Sequence, residues 1–233
     1  MVLVPGFSQP ASTWNAVLAA LHPSIDVIAL DVPDDLDFDA TAGAIGAEGG
    51  RSIYVGYSMG GRLALHLALE RPDLVAGLVL VSASPGIADP SERAERAEAD
   101  ARLAAEVERD GVSVFLERWL TQPLFAGLSR EEAAFDDRVA VNSTERLVHQ
   151  LTGLGQGAMP DAWARLVELS MPVLLLTGAD DTKYEEIAAE MCRRNPRLEH
   201  SVIPGGHALP LAQSVAVAER LNGFVHEVGP TTE

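Results

Sequence analysis

Residues 56–60 read Gly-Tyr-Ser-Met-Gly, so Ser58 stands between Gly56 and Gly60. A serine hydroxyl is a weak nucleophile and a weak base until a neighbouring imidazole takes its proton. Six histidines could supply that imidazole. His66 falls within a helical stretch, His200 within a strand-like run, His22 and His226 near helix ends, and His149 in a helix-rich region. His207, in "PGGHALP", is the one that stands in a loop just after a strand-like run. In serine relays built on an α/β sheet, acid and base follow the serine at later strand ends. The acid is therefore expected after "VLLLTG", where Asp180 and Asp181 stand side by side and spacing does not choose between them. Whichever is not the relay acid is expected to cap the helix that follows.

Arg62 lies four residues after Ser58, about one helical turn along. A fixed guanidinium there suits a carboxylate-bearing substrate better than a neutral ester, because its fork of N–H groups matches a carboxylate. Two backbone amides are placed to hold an oxyanion. One is Phe7, which with Gly6 follows the first strand-like run in "VLVPGFS"; the other is Met59, directly after the serine.

These residues need a scaffold, and short apolar runs supply one: Val2–Val4, Asp26–Leu30, Ser52–Gly56, Gly77–Ser82, Val173–Gly178 and Leu198–Ile203. Near-continuous apolar runs, rather than alternating ones, predict strands covered on both faces. Helical periodicity lies between them, over Thr13–Leu21, Met59–Glu70 (read as amphipathic), Glu185–Arg194 and Leu211–Val225. The alternation predicts an α/β fold with a mostly parallel sheet flanked by helices. The rhythm breaks over residues 87–160, which carry helix formers and no strand. The expected organisation is a core in two parts, 1–86 and 161–233, split by an α-helical cap insertion. Within that insertion Glu92, Arg96 and Asp100 stand at i, i+4 spacing, as on a solvated helix face. The tail from Glu227 to Glu233 is expected to fray.

Composition bounds what the chain acts on. At 233 residues, 47% hydrophobic and 22% charged, it fits one sizeable soluble domain. A formal charge of −17 opposes nucleic acid and anionic membranes as partners. The single cysteine, Cys192, has no partner for a disulfide and no second metal ligand nearby. The start of the chain has no basic segment and long apolar run of a secretory signal, and no stretch approaches a membrane span. These features predict a cytoplasmic protein without a cofactor.

The segments "GYSMGGRLAL", "WLTQPLF", "LTGLGQGAMP", "MPVLLLTGADDTKYEEIA" and "IPGGHALP" carry a resemblance over nearly the whole chain. It resembles the α/β-hydrolase superfamily and, within it, the 2-succinyl-6-hydroxy-2,4-cyclohexadiene-1-carboxylate synthase family of menaquinone biosynthesis. The resemblance implies Asp181 as the acid, and Tyr57, Arg62, Arg96, Trp119 and Arg138 as substrate-binding residues. It also implies a core lacking the N-terminal hairpin of larger relatives. The family reaction removes pyruvate from 2-succinyl-5-enolpyruvyl-6-hydroxy-3-cyclohexene-1-carboxylate. In it, Ser58 would act as a base on a ring proton, and the oxyanion hole would hold the enolate. Two positions depart from the family: Pro5 replaces the common histidine before Gly6, and Thr152 stands where many relatives carry a basic residue. Two other readings use the same residues: a small carboxylesterase or C–C bond hydrolase with Ser58 as nucleophile, and a catalytically silent ligand receptor. A complete serine, histidine and aspartate set argues against the receptor.

Overall fold

The computed structural model describes residues 1–229. Six strands form a single sheet: β1 (Val2–Val4), β2 (Ile28–Ala29), β3 (Ser52–Tyr57), β4 (Val75–Val81), β5 (Val173–Gly178) and β6 (Leu198–Ile203). They are ordered β2-β1-β3-β4-β5-β6 and every pairing is parallel. The helices are α1 (Asn15–Ala20), α2 (Phe38–Gly49), α3 (Met59–Glu70), α4 (Pro90–Asp110), α5 (Val112–Trp119), α6 (Phe135–Val141), α7 (Thr144–Thr152), α8 (Thr182–Arg194), α9 (Leu209–Ala212) and α10 (Ser214–Val228).

The apolar runs of β1, β3, β4 and β5 bury both sheet faces, because successive side chains on a strand point to opposite sides, whereas β2 and β6, expected to be covered likewise, lie at the sheet edges and stay partly exposed. Val2, Val4, Tyr54, Leu78, Leu80 and Leu175 share one core with α2, α3 and α8. Leu3, Val55, Val79, Val81, Leu174 and Leu176 share the other with Trp14, Val17, Leu221 and Phe224. Helix α3 differs from the amphipathic expectation: every residue from Met59 to Leu69 is buried. It runs through the core with α2 packed against it.

Other boundaries also shift. Strand β2 keeps only Ile28 and Ala29, which pair with Val2 and Leu3 of the short β1. Strand β4 starts at Val75, two residues early, and α8 starts at Thr182, three residues early. The first expected helix divides into a 3₁₀ turn at Ala11–Trp14 and α1, and the last into α9 and α10. Helix α2 has no counterpart among the periodic segments. Its sequence, "FDATAGAIGAEG", is rich in alanine and glycine and shows weak apolar contrast, and it is started by Asp37, whose carboxylate accepts from the Ala40 amide. The expected frayed tail is helical as far as Val228; its residues 230–233 lie outside the described residues.

Between β4 and β5 the chain forms α4 to α7. Asp89 caps α4 by accepting from the Ser91 and Glu92 amides. These helices close a small core of their own around Val107, Phe115, Leu116, Phe135, Leu147 and Leu151. Phe7 packs against both this core and the sheet core, so the β1 loop lies where the two meet.

Candidate active site

Ser58 follows β3 and precedes α3 with φ of 51° and ψ of −107°. A non-glycine residue held there stores of order 1–3 kcal/mol of strain, and the surroundings enforce it. A Cβ on Gly56 would lie 2.3 Å from the Gly60 carbonyl oxygen, and one on Gly60 would lie 2.3 Å from that of Val4. Only glycine lets strand, turn and helix approach this closely, which lifts the serine out of the sheet edge.

The partners arrive from the two strands at the far side of the sheet. The β5–β6 ladder continues past its ends, with the Ala179 amide donating to Ile203 O and the Asp180 amide to Gly205 O. That continuation turns Asp181 toward the loop after β6. Its Oδ2 lies 2.7 Å from His207 Nδ1, and His207 Nε2 lies 3.2 Å from Ser58 Oγ. Nδ1–H therefore donates to the carboxylate, and Nε2 is left to accept from the hydroxyl. Asp181 is 9% exposed and His207 3%. Tyr57 and Tyr184 flank the imidazole, with ring centroids 5.5 and 4.5 Å away. Asp181 itself occupies the N-cap position of α8, with its carboxylate committed to His207 rather than to a helix amide. The expectation that the neighbouring aspartate caps α8 is thus not met; Asp180 is exposed at the rim of the pocket.

Ser58 opens into a cavity of about 670 Å³ beneath the inserted helices, lined by Phe7, Met59, Arg62, Arg96, Trp119 and Tyr184 among others. A second cavity of about 30 Å³ shares Phe7, Ser58, Trp119 and His207 with it and reaches Tyr57 and Arg138. The Phe7 and Met59 amides donate to no other group among the described residues, so both are available at this site. The indole N–H of Trp119 is likewise buried without a partner.

The three arginines differ. Arg62 is 7% exposed and donates to Leu154 O at 2.8 Å. Burial lowers its pKa to about 10, so it stays cationic at neutral pH. Arg96 makes the i, i+4 ion pair of its structural reading, its Nε donating to the buried Asp100 at 2.8 Å; it also lines the cavity, and its Nη1 donates to Gln156 at 3.1 Å. Arg138 pairs with neither Asp136 nor Asp137, its sequence neighbours. It donates instead to Ala133 O, Phe7 O and Ser8 Oγ, leaving Nη2 without a partner. Burial lowers its pKa to about 10 as well.

Several features were beyond sequence reasoning. Gln156 donates to both Ser84 Oγ and Tyr184 OH at 3.3 Å, joining Arg96 to the tyrosine beside His207. It stands in the quoted "LTGLGQGAMP", but an isolated glutamine carries no signal of its own. Thr152 is exposed, and its hydroxyl donates to Val148 O, away from the cavity lining. After Pro5, Gln9 Oε1 accepts from the Gly6 amide at 2.8 Å and so supports the β1 loop. Among the other histidines, His66 meets Asp39 at 2.8 Å and His200 meets Thr177 at 2.7 Å, both remote from Ser58. Cys192 is half-buried and contacts Leu198 O. Among the described residues, no three His, Cys, Asp or Glu side chains cluster as a metal site, and no helix is long and apolar enough to cross a membrane.

A parallel sheet with a strained serine at the end of β3 and its acid and base after β5 and β6 defines an α/β hydrolase. Residues 1–220 accordingly match the profile of the Alpha/beta hydrolase family. The chain is 37% identical over 181 residues to the putative 2-succinyl-6-hydroxy-2,4-cyclohexadiene-1-carboxylate synthase of Bacillus subtilis (strain 168), a match spanning 75% of this chain and 65% of that relative. It is 30% identical over 248 residues to the synthase of the same name from Serratia proteamaculans (strain 568), covering 98% and 94% of the two chains. The structure of MenH from S. aureus superposes with a TM-score of 0.90 at 28% identity, covering 98% of this chain and 94% of that one. The chain belongs to the 2-succinyl-6-hydroxy-2,4-cyclohexadiene-1-carboxylate synthase family.

Proposed function

We propose that the protein is a cofactor-free lyase that eliminates pyruvate from 2-succinyl-5-enolpyruvyl-6-hydroxy-3-cyclohexene-1-carboxylate, in menaquinone biosynthesis. One observation carries this reading beyond a generic hydrolase: the buried Arg62, one turn from Ser58 on the cavity wall, with no carboxylate of the described residues within ion-pairing distance. A buried cation is costly unless paired, and a substrate carboxylate supplies the counter-charge. Arg96 and the free Nη2 of Arg138 offer two further cationic contacts, and Trp119 and Tyr57 the walls.

In the proposed reaction His207 takes the Ser58 proton, and the serine oxygen takes a ring proton next to the succinyl carbonyl. The C–H electron pair moves onto the carbonyl oxygen, which the Phe7 and Met59 amides stabilise as an enolate. Collapse of the enolate forms the second ring double bond and breaks the ring C–O bond. The departing enolpyruvate keeps that electron pair and receives the proton held by the Ser58–His207 pair, giving pyruvate. Asp181 holds the imidazole in the required tautomer and stabilises it while it is charged. No covalent enzyme intermediate forms.

The test is pyruvate release by the purified protein, followed in a coupled assay, with mass spectrometry of the protein during turnover. Rapid release with no mass added to Ser58 is expected. Fast turnover of p-nitrophenyl esters through an acyl-Ser58 species, without pyruvate release, would establish the esterase reading instead.

A further inference from the structure

The loop carrying the Phe7 amide is fastened to the inserted helices by side chains from far along the chain. The Ser8 amide donates to Gln150 Oε1 of α7 at 2.8 Å. On the other edge of the same peptide unit, Phe7 O accepts from Arg138 Nη1 of α6 at 3.0 Å. Ser8 O accepts from Asn142 Nδ2 at 2.8 Å, just after α6, and Asn142 Nδ2 also donates to Arg138 O at 2.6 Å. Ser8 is held at φ of 62°, in the left-handed region that a serine adopts at a cost. Such a conformation persists only where its surroundings over-determine it. Here the surroundings are directional hydrogen bonds, buried for Gln150 and part-buried for Arg138 and Asn142, which fix one arrangement more sharply than apolar packing does.

We infer that Gln150, together with Asn142 and Arg138, is a positioning set that aims the Phe7 N–H at the oxyanion, so that the helical insertion assembles half of the oxyanion hole. The Phe7–Ser8 peptide plane is gripped from both edges, and rotating it would turn the backbone that carries the Phe7 N–H. Arg138 thereby has a role distinct from a substrate clamp, since both protons of Nη1 go to the loop. The inference rests on the reading that an oxyanion forms at this amide, and holds for the elimination and for ester turnover alike.

The experiment compares wild type with Gln150→Met, which removes the acceptor at similar volume, and Gln150→Glu, which keeps one. Kinetics are run on whichever reaction wild type performs, pyruvate release or hydrolysis of p-nitrophenyl acetate. Hydrogen exchange at the Ser8 amide is measured in parallel on the full chain. Gln150→Met is expected to lose about 10²-fold in kcat, as ångström-scale misplacement of a stabilising group does, with KM within about twofold and faster Ser8 exchange. Gln150→Glu recovers most of kcat. Unchanged kcat, a loss confined to KM, or unchanged Ser8 exchange in Gln150→Met overturns the inference. If that variant does not fold, Asn142→Ala carries the same expectations. Absence of pyruvate release by wild type refutes the lyase reading alone; ester turnover and Ser8 exchange then decide this one.

Discussion

The Arg62 guanidinium donates to the Leu154 carbonyl at 2.8 Å and meets no carboxylate among the described residues. A buried cation held by a neutral acceptor is a source of instability that the fold retains. Burial pulls its pKa down from the ordinary guanidinium range to about 10. The unfolded chain therefore binds this proton more tightly than the folded one, and the stability cost of Arg62 eases as pH rises past about 10. Below it the full penalty of burying the charge applies.

Replacing Arg62 by Met is accordingly expected to stabilise the protein. Exchanging buried ionic groups for packed apolar ones is often worth about 1–4 kcal/mol, or roughly 2–4 °C in Tm per kcal/mol for a chain of this size. The same variant loses about 2–4 kcal/mol in kcat/KM, through the missing charge-assisted pair. Calorimetry and pyruvate-release kinetics on one preparation check both signs. A lower Tm with full activity would remove Arg62 from the site.

The relay makes a separate prediction. Asp181→Asn preserves shape but presents an N–H or a weaker acceptor to His207 Nδ1, now 2.7 Å from a carboxylate oxygen. The imidazole then loses its preferred tautomer and its counter-charge. A fall in kcat of about 10³–10⁴-fold is expected, with KM little changed, in steady-state assays.

Glycine substitutions separate close approach from mere flexibility. Gly60→Ala drives a methyl group to 2.3 Å from the Val4 carbonyl oxygen. Backbone there cannot yield cheaply, so loss of activity together with a drop in Tm is expected. Gly223, inside α10, has nothing within 4 Å of an added Cβ. Gly223→Ala is expected to stabilise by about 0.5–1 kcal/mol, measured by denaturant titration with activity unchanged.

Arg96 and Asp100 test the cost of a half-buried pair. Asp100 is buried, whereas the Arg96 side chain is 36% exposed. Arg96→Ala leaves the carboxylate unpaired and is expected to destabilise by about 1–3 kcal/mol, below the 3–5 kcal/mol of fully buried pairs. Adding Asp100→Ala should return part of that loss, giving a positive coupling in the double-mutant cycle.

The serine turn was legible because it is local: strand, tight turn and helix are consecutive, and the glycines that permit the turn stand two residues to either side of the serine. His207 was legible because its loop directly follows the strand-like run Leu198–Ile203. The choice between Asp180 and Asp181 was not, since it depends on hydrogen bonds running from Ala179 and Asp180 to the β6 loop. The resemblance implied a substrate-binding role for Arg138 and said nothing of its partners Phe7 and Ser8, which stand some 130 positions away. No periodicity within "DDRVAVN" could point to them. Helix α2 went unread because alanine and glycine leave little apolar contrast, although its aspartate cap is a local signal.

The tether from Gln150 and Asn142 to Ser8 bears on how freely the inserted helices of this chain can be exchanged. An inserted block between two strands would ordinarily be interchangeable, free to diverge or to be transplanted in order to alter specificity. Here the block is keyed to the β1 loop near the start of the chain by Gln150 to Ser8 N and Asn142 to Ser8 O. A chimera that imports foreign helices while keeping the native β1 loop would inherit a mismatched lock, so the two segments have to be transplanted together.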